Sequence, residues 1–237
     1  LTKINDLYIS DNEKFDELPS ILEINEKEHY KHMGFIYIPV RQEHLNKEQI
    51  IQIGNLRDKY FNSLVDRKFV EEVYLFAYNL LKSRKRILDF GAGSGKFIEF
   101  LRKKSLEDNL EFYGVDINPK YNKDSLYKGY QIMNNNSKLS FNSRFLFPRN
   151  YFDAVLALYV LHYNVPKNNF KEIHRTLKDS GIFIFNLYFV NEVYKEDLFL
   201  KLEDIGFNFN YKEEVFESKR IFKGKKHAPV KFYICEK

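Results

Sequence analysis

Residues 87–97 read Ile87-Leu88-Asp89-Phe90-Gly91-Ala92-Gly93-Ser94-Gly95-Lys96-Phe97, and this stretch decides the fold. A short apolar run ends in an acid and passes straight into glycines at alternate positions. Glycine has no Cβ, so the backbone here can turn sharply and come close to a ligand. The helix expected from residue 95 onward would direct the free N–H groups of its first turn at whatever lies over the glycines. Spacing excludes two other glycine loops. A dinucleotide fingerprint, G-x-G-x-x-G, needs glycine at 96, where Lys96 stands. A P-loop ending at Lys96 needs glycine at 90 and a hydroxyl at 97, where Phe90 and Phe97 stand. The pattern that remains is D-x-G-x-G-x-G.

Just downstream, Phe112-Tyr113-Gly114-Val115-Asp116 is a second apolar run ending in an acid, about 20 residues past the glycines. A carboxylate at that position can accept hydrogen bonds from both hydroxyls of a ribose. The plainer alternative is a turn-starting Asp before Asn118-Pro119.

From residue 84 on, short apolar runs alternate with amphipathic ones. Strands are expected at 86–90, 111–116, 130–133, 152–157, 181–188, 207–216 and 230–235. Helices are expected at 95–104, weakly at 120–128, and at 167–178 and 193–205. This alternation predicts a Rossmann-like, doubly wound α/β fold with a mostly parallel seven-stranded sheet. The last two strands have no helix between them, so the final strand is expected to be antiparallel. Residues 48–83 carry apolar side chains at three- and four-residue spacing (Ile50, Ile53, Leu56, Tyr60; Phe69, Val73, Phe76, Leu80). The expected division is therefore an N-terminal helical lid over 1–83 and the α/β domain over 84–237.

Composition narrows the class. The chain has 237 residues, enough for one sizeable domain. Cys235 is the only cysteine, which excludes an intrachain disulfide and a multi-cysteine zinc site. The net charge of +5 is too small for a dedicated nucleic-acid coat. The aromatic residues are all Phe or Tyr and accompany much Lys, Asn and Ile, so they are not read as base-stacking platforms. No signal-peptide layout opens the chain, and the longest apolar runs, near 154–161, fall far short of the ~20 residues that span a bilayer. A cytoplasmic protein is expected, as monomer or homodimer, with no membrane partner.

The quoted residues resemble the class I S-adenosylmethionine (SAM)-dependent methyltransferase family, in its small-molecule branch. The likeness runs over about 84–190, and three further segments support it. Asn135-Asn136-Ser137-Lys138-Leu139-Ser140-Phe141 is similar to the family's D-A-x-x-L-P-F, with Asn135 where an Asp usually meets the adenine amino group. Phe152–Ala157 followed by Leu158–Tyr163 is similar to the fourth strand and its continuation. Residues 172–181 are similar to E-x-x-R-x-L-K-P-G-G, with Asp179 and Ser180 replacing Pro and Gly. The resemblance implies SAM as cofactor and S-adenosyl-L-homocysteine as product. It implies cofactor contacts from Asp89, Gly91, Ala92, Gly93 and Gly95, from Asp116 and Ile117, from Asn135 and Asn136, and from Ala157 and Leu158. Arg57 and Tyr60 are further candidates, for the amino-acid end; the alternative for both is plain helix surface.

Methyl transfer from sulfonium is an in-line displacement, so positioning carries most of the catalysis and a base matters only for an acceptor that must lose a proton. His162 is the first choice of base, with Tyr163 beside it and His227 in the last loop; the alternative for His162 is a histidine that shapes the pocket. Asn186 and Tyr188 lie near the end of the fifth strand. His174 and Cys235 are expected to serve packing. No D/N-P-P-Y/F follows the fourth strand, no Pro-Cys pair exists, and no metal-binding cluster is evident. These observations argue against exocyclic-amine, cytosine-C5 and catechol-type methylation.

Residues 219–231 hold Lys219, Arg220, Lys223, Lys225, Lys226 and Lys231 without an acid. The expected activity is methyl transfer to O or N of a small, anionic acceptor, phosphorylated or nucleotide-linked. An RNA methyltransferase and a non-catalytic SAM-binding regulator or partner subunit remain as alternatives.

Overall fold

The computed structural model describes residues 1–10, 19–32, 36–64, 66–107, 109–121, 126–133, 144–187, 190–222 and 225–237. It divides into two compact units, Leu1–Leu64 and Val65–Lys237.

The first unit opens with β1 (Thr2–Ile4), β2 (Leu7–Ile9), β3 (Ile21–Ile24), β4 (Lys27–His32) and β5 (Ile36–Ile38), and ends in α1 (Lys47–Leu64). The strands form one antiparallel sheet in the order β1-β2-β5-β4-β3. Asn25 and Glu26 both take positive φ between β3 and β4, as a tight two-residue hairpin turn requires. Helix α1 starts on a reciprocal cap: Gln49 N–H donates to Asn46 Oδ1, and Asn46 N–H to Gln49 Oε1. Within the 1–83 region expected as a helical lid, five strands therefore precede the helix α1. These strands have three to six residues each, too few for a period-2 pattern to stand out. Their stability comes from pairing, which local sequence does not display.

The second unit opens with α2 (Arg67–Leu81), so the contact boundary falls at 64/65 and not at 83/84. There follow β6 (Arg86–Phe90), α3 (Lys96–Lys103), β7 (Glu111–Asp116), β8 (Gly129–Ile132), β9 (Phe152–Ala157), α4 (Lys167–Thr176), β10 (Leu177–Asn186), α5 (Glu192–Glu203) and β11 (Asn208–Phe216). A small ladder, β12 (Ile221–Phe222) with β13 (Lys225–Lys226), precedes β14 (Val230–Glu236). The main sheet has seven strands in the order β11-β14-β10-β9-β6-β7-β8, and β14 alone runs against its neighbours. This is the doubly wound sheet the alternation predicts. The strands are apolar on both faces where helices cover them: β9 and β10 hold Val155, Leu156, Phe183, Ile184 and Phe185 completely buried. At 120–128 a 3-10 turn, Pro119–Tyr121, is described where a weak helix is expected.

Strand order reverses between β6 and β9, because the chain winds outward from β6 through β7 to β8 and then returns to β9. In such sheets the ligand crevice opens at that reversal, beyond the carboxyl ends of the strands. The glycine turn lies directly after β6. Among the described residues no helix is long and apolar enough to cross a membrane.

Candidate functional site: the glycine crevice

Gly91, Gly93 and Gly95 all take left-handed backbone, with φ of 74°, 54° and 77°. The turn is fastened across the sheet, as the N–H groups of Gly91 and Ala92 both donate to Val115 O, at 2.9 and 3.1 Å. Two of the glycines do different work. A Cβ on Gly91 would lie 2.3 Å from Val160 Cγ2, so close packing forbids it. A Cβ on Gly93 would meet nothing nearer than Gly91 O at 4.0 Å, so the chain there borders open space. Gly95 is the N-cap of α3 and offers no side-chain cap, which leaves first-turn N–H groups available to a ligand.

Asp116 ends β7 and is buried. Its Oδ2 accepts from Gly93 N–H at 2.8 Å and its Oδ1 from Asn118 N–H at 2.7 Å. The acid is thus both the turn-starter before Pro119 and the clamp on the glycine loop. A carboxylate oxygen accepts more than one hydrogen bond, so these contacts are compatible with acceptance from ribose hydroxyls. Ile117 beside it is half-buried.

Asp89 lies inside β6 at 4% exposure. Tyr127 Oη donates to its Oδ2 at 2.8 Å. Burial pushes the Asp89 carboxyl up to about 7; the Tyr127 hydrogen bond opposes this and the neighbouring Asp116 charge adds to it. Tyr130 also reaches the loop, donating to Gly93 O at 3.4 Å, and its ring fills the space that a Cβ on Gly114 would need. Sequence reasoning missed both tyrosines. They lie in a stretch with no clear period, and nothing local marks their contact with residues 37 or 38 positions earlier.

On the other side of the reversal, Ala157 is buried and Leu158 half-buried. Tyr159 takes positive φ and donates its N–H to Asn186 Oδ1 at 2.7 Å, which ties the end of β9 to the end of β10. Tyr194 Oη donates to the carbonyls of Leu161 (2.9 Å) and Tyr163 (2.6 Å), pinning the chain after β9 to α5. His162 is fully buried, its ring 3.9 Å from that of Tyr163, and presents no surface to an acceptor here.

His227 is engaged elsewhere. Its Nε2 lies 3.0 Å from Asp66 Oδ2, and its ring stacks on Phe69 at 3.8 Å. Asp66 is the N-cap of α2, accepting from the N–H groups of Lys68 and Phe69, and it also pairs with Arg220 Nε at 3.2 Å. Ser218 Oγ donates to Glu72 one turn further along α2. The basic segment is therefore moored on the start of α2. Asp66 lies within the 48–83 stretch that the sequence presents as helical, and neither its capping role nor its distant cations are read from that pattern. β11 runs parallel to β6, so the chain leaves β11 after Phe216 on the same side of the sheet as the glycine turn.

His174 packs edge-on against Phe207, and Cys235 is buried in β14. Arg57 lies in α1, half-buried; Tyr60 is also in α1, with a side chain outside the description. Asn135, Asn136 and Tyr188 lie outside the described residues.

The open space over Gly93, the start of α3 without a side-chain cap and the Asp116 carboxylate fit an adenosyl group. A family model described as a methyltransferase domain matches residues 61–212. A SAM-dependent methyltransferase from Archaeoglobus fulgidus is similar in structure, at 17% identity and a TM-score of 0.52, covering 77% of this chain and 98% of that one. One from Thermotoga maritima, described as a possible histamine N-methyltransferase, is 16% identical with a TM-score of 0.53, covering 79% and 97%. The cyclase SpnF is 18% identical with a TM-score of 0.50, covering 71% and 75%. A search of curated protein sequences finds no match.

Proposed function

This chain belongs to the SAM-dependent methyltransferase family, and from that premise we propose that it transfers a methyl group to an O or N atom of a small anionic metabolite. SAM supplies a methyl group already activated on a positive sulfur. The observation that carries the reading is the glycine turn clamped by Asp116, with open space over Gly93. Asp116 and the N–H groups at the start of α3 would bind and orient the cofactor. The complete burial of His162 supports transfer governed by positioning more than by a base, which suits an acceptor that is already nucleophilic. His162 and Tyr163 then shape the wall after β9.

The anionic class rests on the segment at the crevice edge. Arg220 and His227 are engaged by Asp66; Lys219, Lys223, Lys225 and Lys226 carry the segment's remaining positive charge between 219 and 226 and are proposed to meet the acceptor. Charge there steers an anion and offers charge-assisted hydrogen bonds.

The test is transfer of labelled methyl from SAM to a panel of phosphorylated and carboxylated metabolites, their neutral analogues, and RNA. The anionic acceptors should turn over, with a KM that rises with salt and rises again in Lys223→Glu/Lys225→Glu. Equal turnover of neutral analogues would refute the acceptor class, preferred turnover of RNA would move the enzyme to another substrate, and SAM binding without any transfer would make it a binding protein. The last outcome has physical content, because the same fold in SpnF belongs to a protein named a cyclase.

A further inference from the structure

We propose a second ligand site, for a phosphate-bearing small molecule, at the edge of the sheet opposite the glycine crevice. A cavity of about 610 Å³ opens there, with Lys82, Arg84, Lys85, Asn109, Glu111 and Lys128 among its lining residues. The topology fixes its place. Residues 82–85 immediately precede β6, residues 109–111 lead into β7, and Lys128 immediately precedes β8, so the cavity lies at the amino ends of three adjacent parallel strands. The five residues of β6 separate it from the glycine turn by about 16 Å, at ~3.3 Å per residue.

Its charge is one-sided. Among the described lining residues four cations face one acid. The acid, Glu111, is already held by Arg86, Nε to Oε2 at 3.3 Å. None of Lys82, Arg84, Lys85 and Lys128 has a side-chain ion pair or hydrogen bond among the described residues. Arg84 adds the sharper observation: its Nε is buried and, among the described residues, meets no acceptor. A buried donor left so destabilises the empty site, and a phosphate oxygen would supply the missing acceptor. Arg84 can grip a phosphate as a planar fork, while the lysines supply point charge and Asn109 a neutral donor. The described carboxylate of Asp153 nearby is engaged as well. Asp153 accepts from the N–H groups of Lys85 and Arg86 and pairs with Lys178 Nζ at 2.6 Å. The cavity volume suits one nucleotide-sized anion and not only a free ion.

Inorganic pyrophosphate is the probe, titrated calorimetrically into the whole chain at low ionic strength. One site should appear, weakening as salt rises. Lys82→Glu combined with Lys128→Glu should weaken it at least tenfold, since both side chains are exposed and the fold does not depend on them. The charge-matched control Lys27→Glu/Lys68→Glu, at exposed lysines outside the cavity, should stay within twofold. Arg84→Gln should also weaken binding; the lysine pair keeps the test valid if that variant does not fold. SAM affinity should be unchanged by the lysine pair, which separates this site from the crevice whatever the crevice is shown to bind. Four results would overturn the proposal: no heat up to millimolar pyrophosphate, equal losses in the control, displacement of pyrophosphate by SAM, or a single-stranded RNA that outcompetes pyrophosphate with the same sensitivity to Lys82 and Lys128.

Discussion

Two buried aspartates at the crevice edge of the α/β unit are held in opposite ways. Asp66, 5% exposed at its side chain, meets two backbone N–H groups, the guanidinium of Arg220 and the ring of His227. Burial pushes its carboxyl up, but the hydrogen bonds from His227, Phe69 N–H and Arg220 outweigh that, and it stays below the usual carboxylate range. Asp89 is buried as deeply and meets one phenol, with no cation among the described residues, so its carboxyl rises to about 7. The first acid is spent on the fold, fastening Arg220 and His227 to the start of α2. The second is held at a cost to stability, beside the open glycine turn. That is where a buried charge retains the capacity to act on a ligand.

If this contrast is right, substitutions at the two sites have opposite signs. Asp89→Asn keeps an acceptor for Tyr127 and removes the ionisation. With a folded pKa near 7 against an ordinary value of about 3.9, the stability that Asp89 contributes is fully present below pH ~4 and is lost as pH rises from there through 7. The variant should therefore gain up to about 4 kcal/mol at pH 8, with no gain at pH 4, as urea denaturation at both values would read. A variant less stable than wild type at pH 8 breaks the comparison. Its SAM affinity should fall even so, and with it the rise in affinity between pH 6 and 8 expected as Asp89 ionises toward a cationic ligand.

Asp66→Ala should do the reverse, costing about 3 kcal/mol through the lost cap and the lost pairings. The Asp66 contribution is present above the unfolded carboxyl pKa and disappears as pH falls through its lowered folded value. The gap between wild type and Asp66→Asn should accordingly close below pH ~4. A change under 1 kcal/mol at neutral pH would mean that the segment is only resting on α2.

The glycines sharpen the crevice side of the contrast. Gly91→Ala meets Val160 and a left-handed backbone, so a loss of about 2 kcal/mol in stability is expected. Gly93→Ala meets only the backbone strain, about 1 kcal/mol, and should show its larger effect in SAM affinity. Equal stability losses would remove the distinction between a packed and a ligand-facing glycine. The smallest effect belongs to Tyr127→Phe. It should cost about 1 kcal/mol in stability and move the pH midpoint of SAM binding upward, because the phenol's hydrogen bond holds the Asp89 pKa down. A midpoint that stays put would place Asp89 outside the binding event.

The same contrast shows what a sequence discloses. The glycine turn was legible because backbone geometry there depends on residue type at fixed spacing, and the central strands were legible because they are short, largely apolar runs, as at Arg86–Phe90 and Phe152–Ala157. The first unit's sheet was not, since three-residue strands such as Leu7–Ile9 carry no period. Nor were the two side-chain contacts that separate Asp89 from Asp66. Tyr127 lies 38 positions from its acid and His227 161 from its own. Such pairings belong to the folded chain, and His227, a base candidate by its position near the crevice, is a mooring in the structure.

The account's central claim is that this crevice holds SAM through the glycine turn and Asp116. Calorimetric titration of SAM into the wild type, Asp116→Ala and Gly93→Val, each first shown to be folded, tests it most directly. One SAM should bind the wild type, and each variant should lose at least ~2 kcal/mol, about 30-fold, the scale of a charge-assisted hydrogen bond removed or a side chain set in the ligand's place. Undiminished SAM affinity in both folded variants would contradict the assignment of the site.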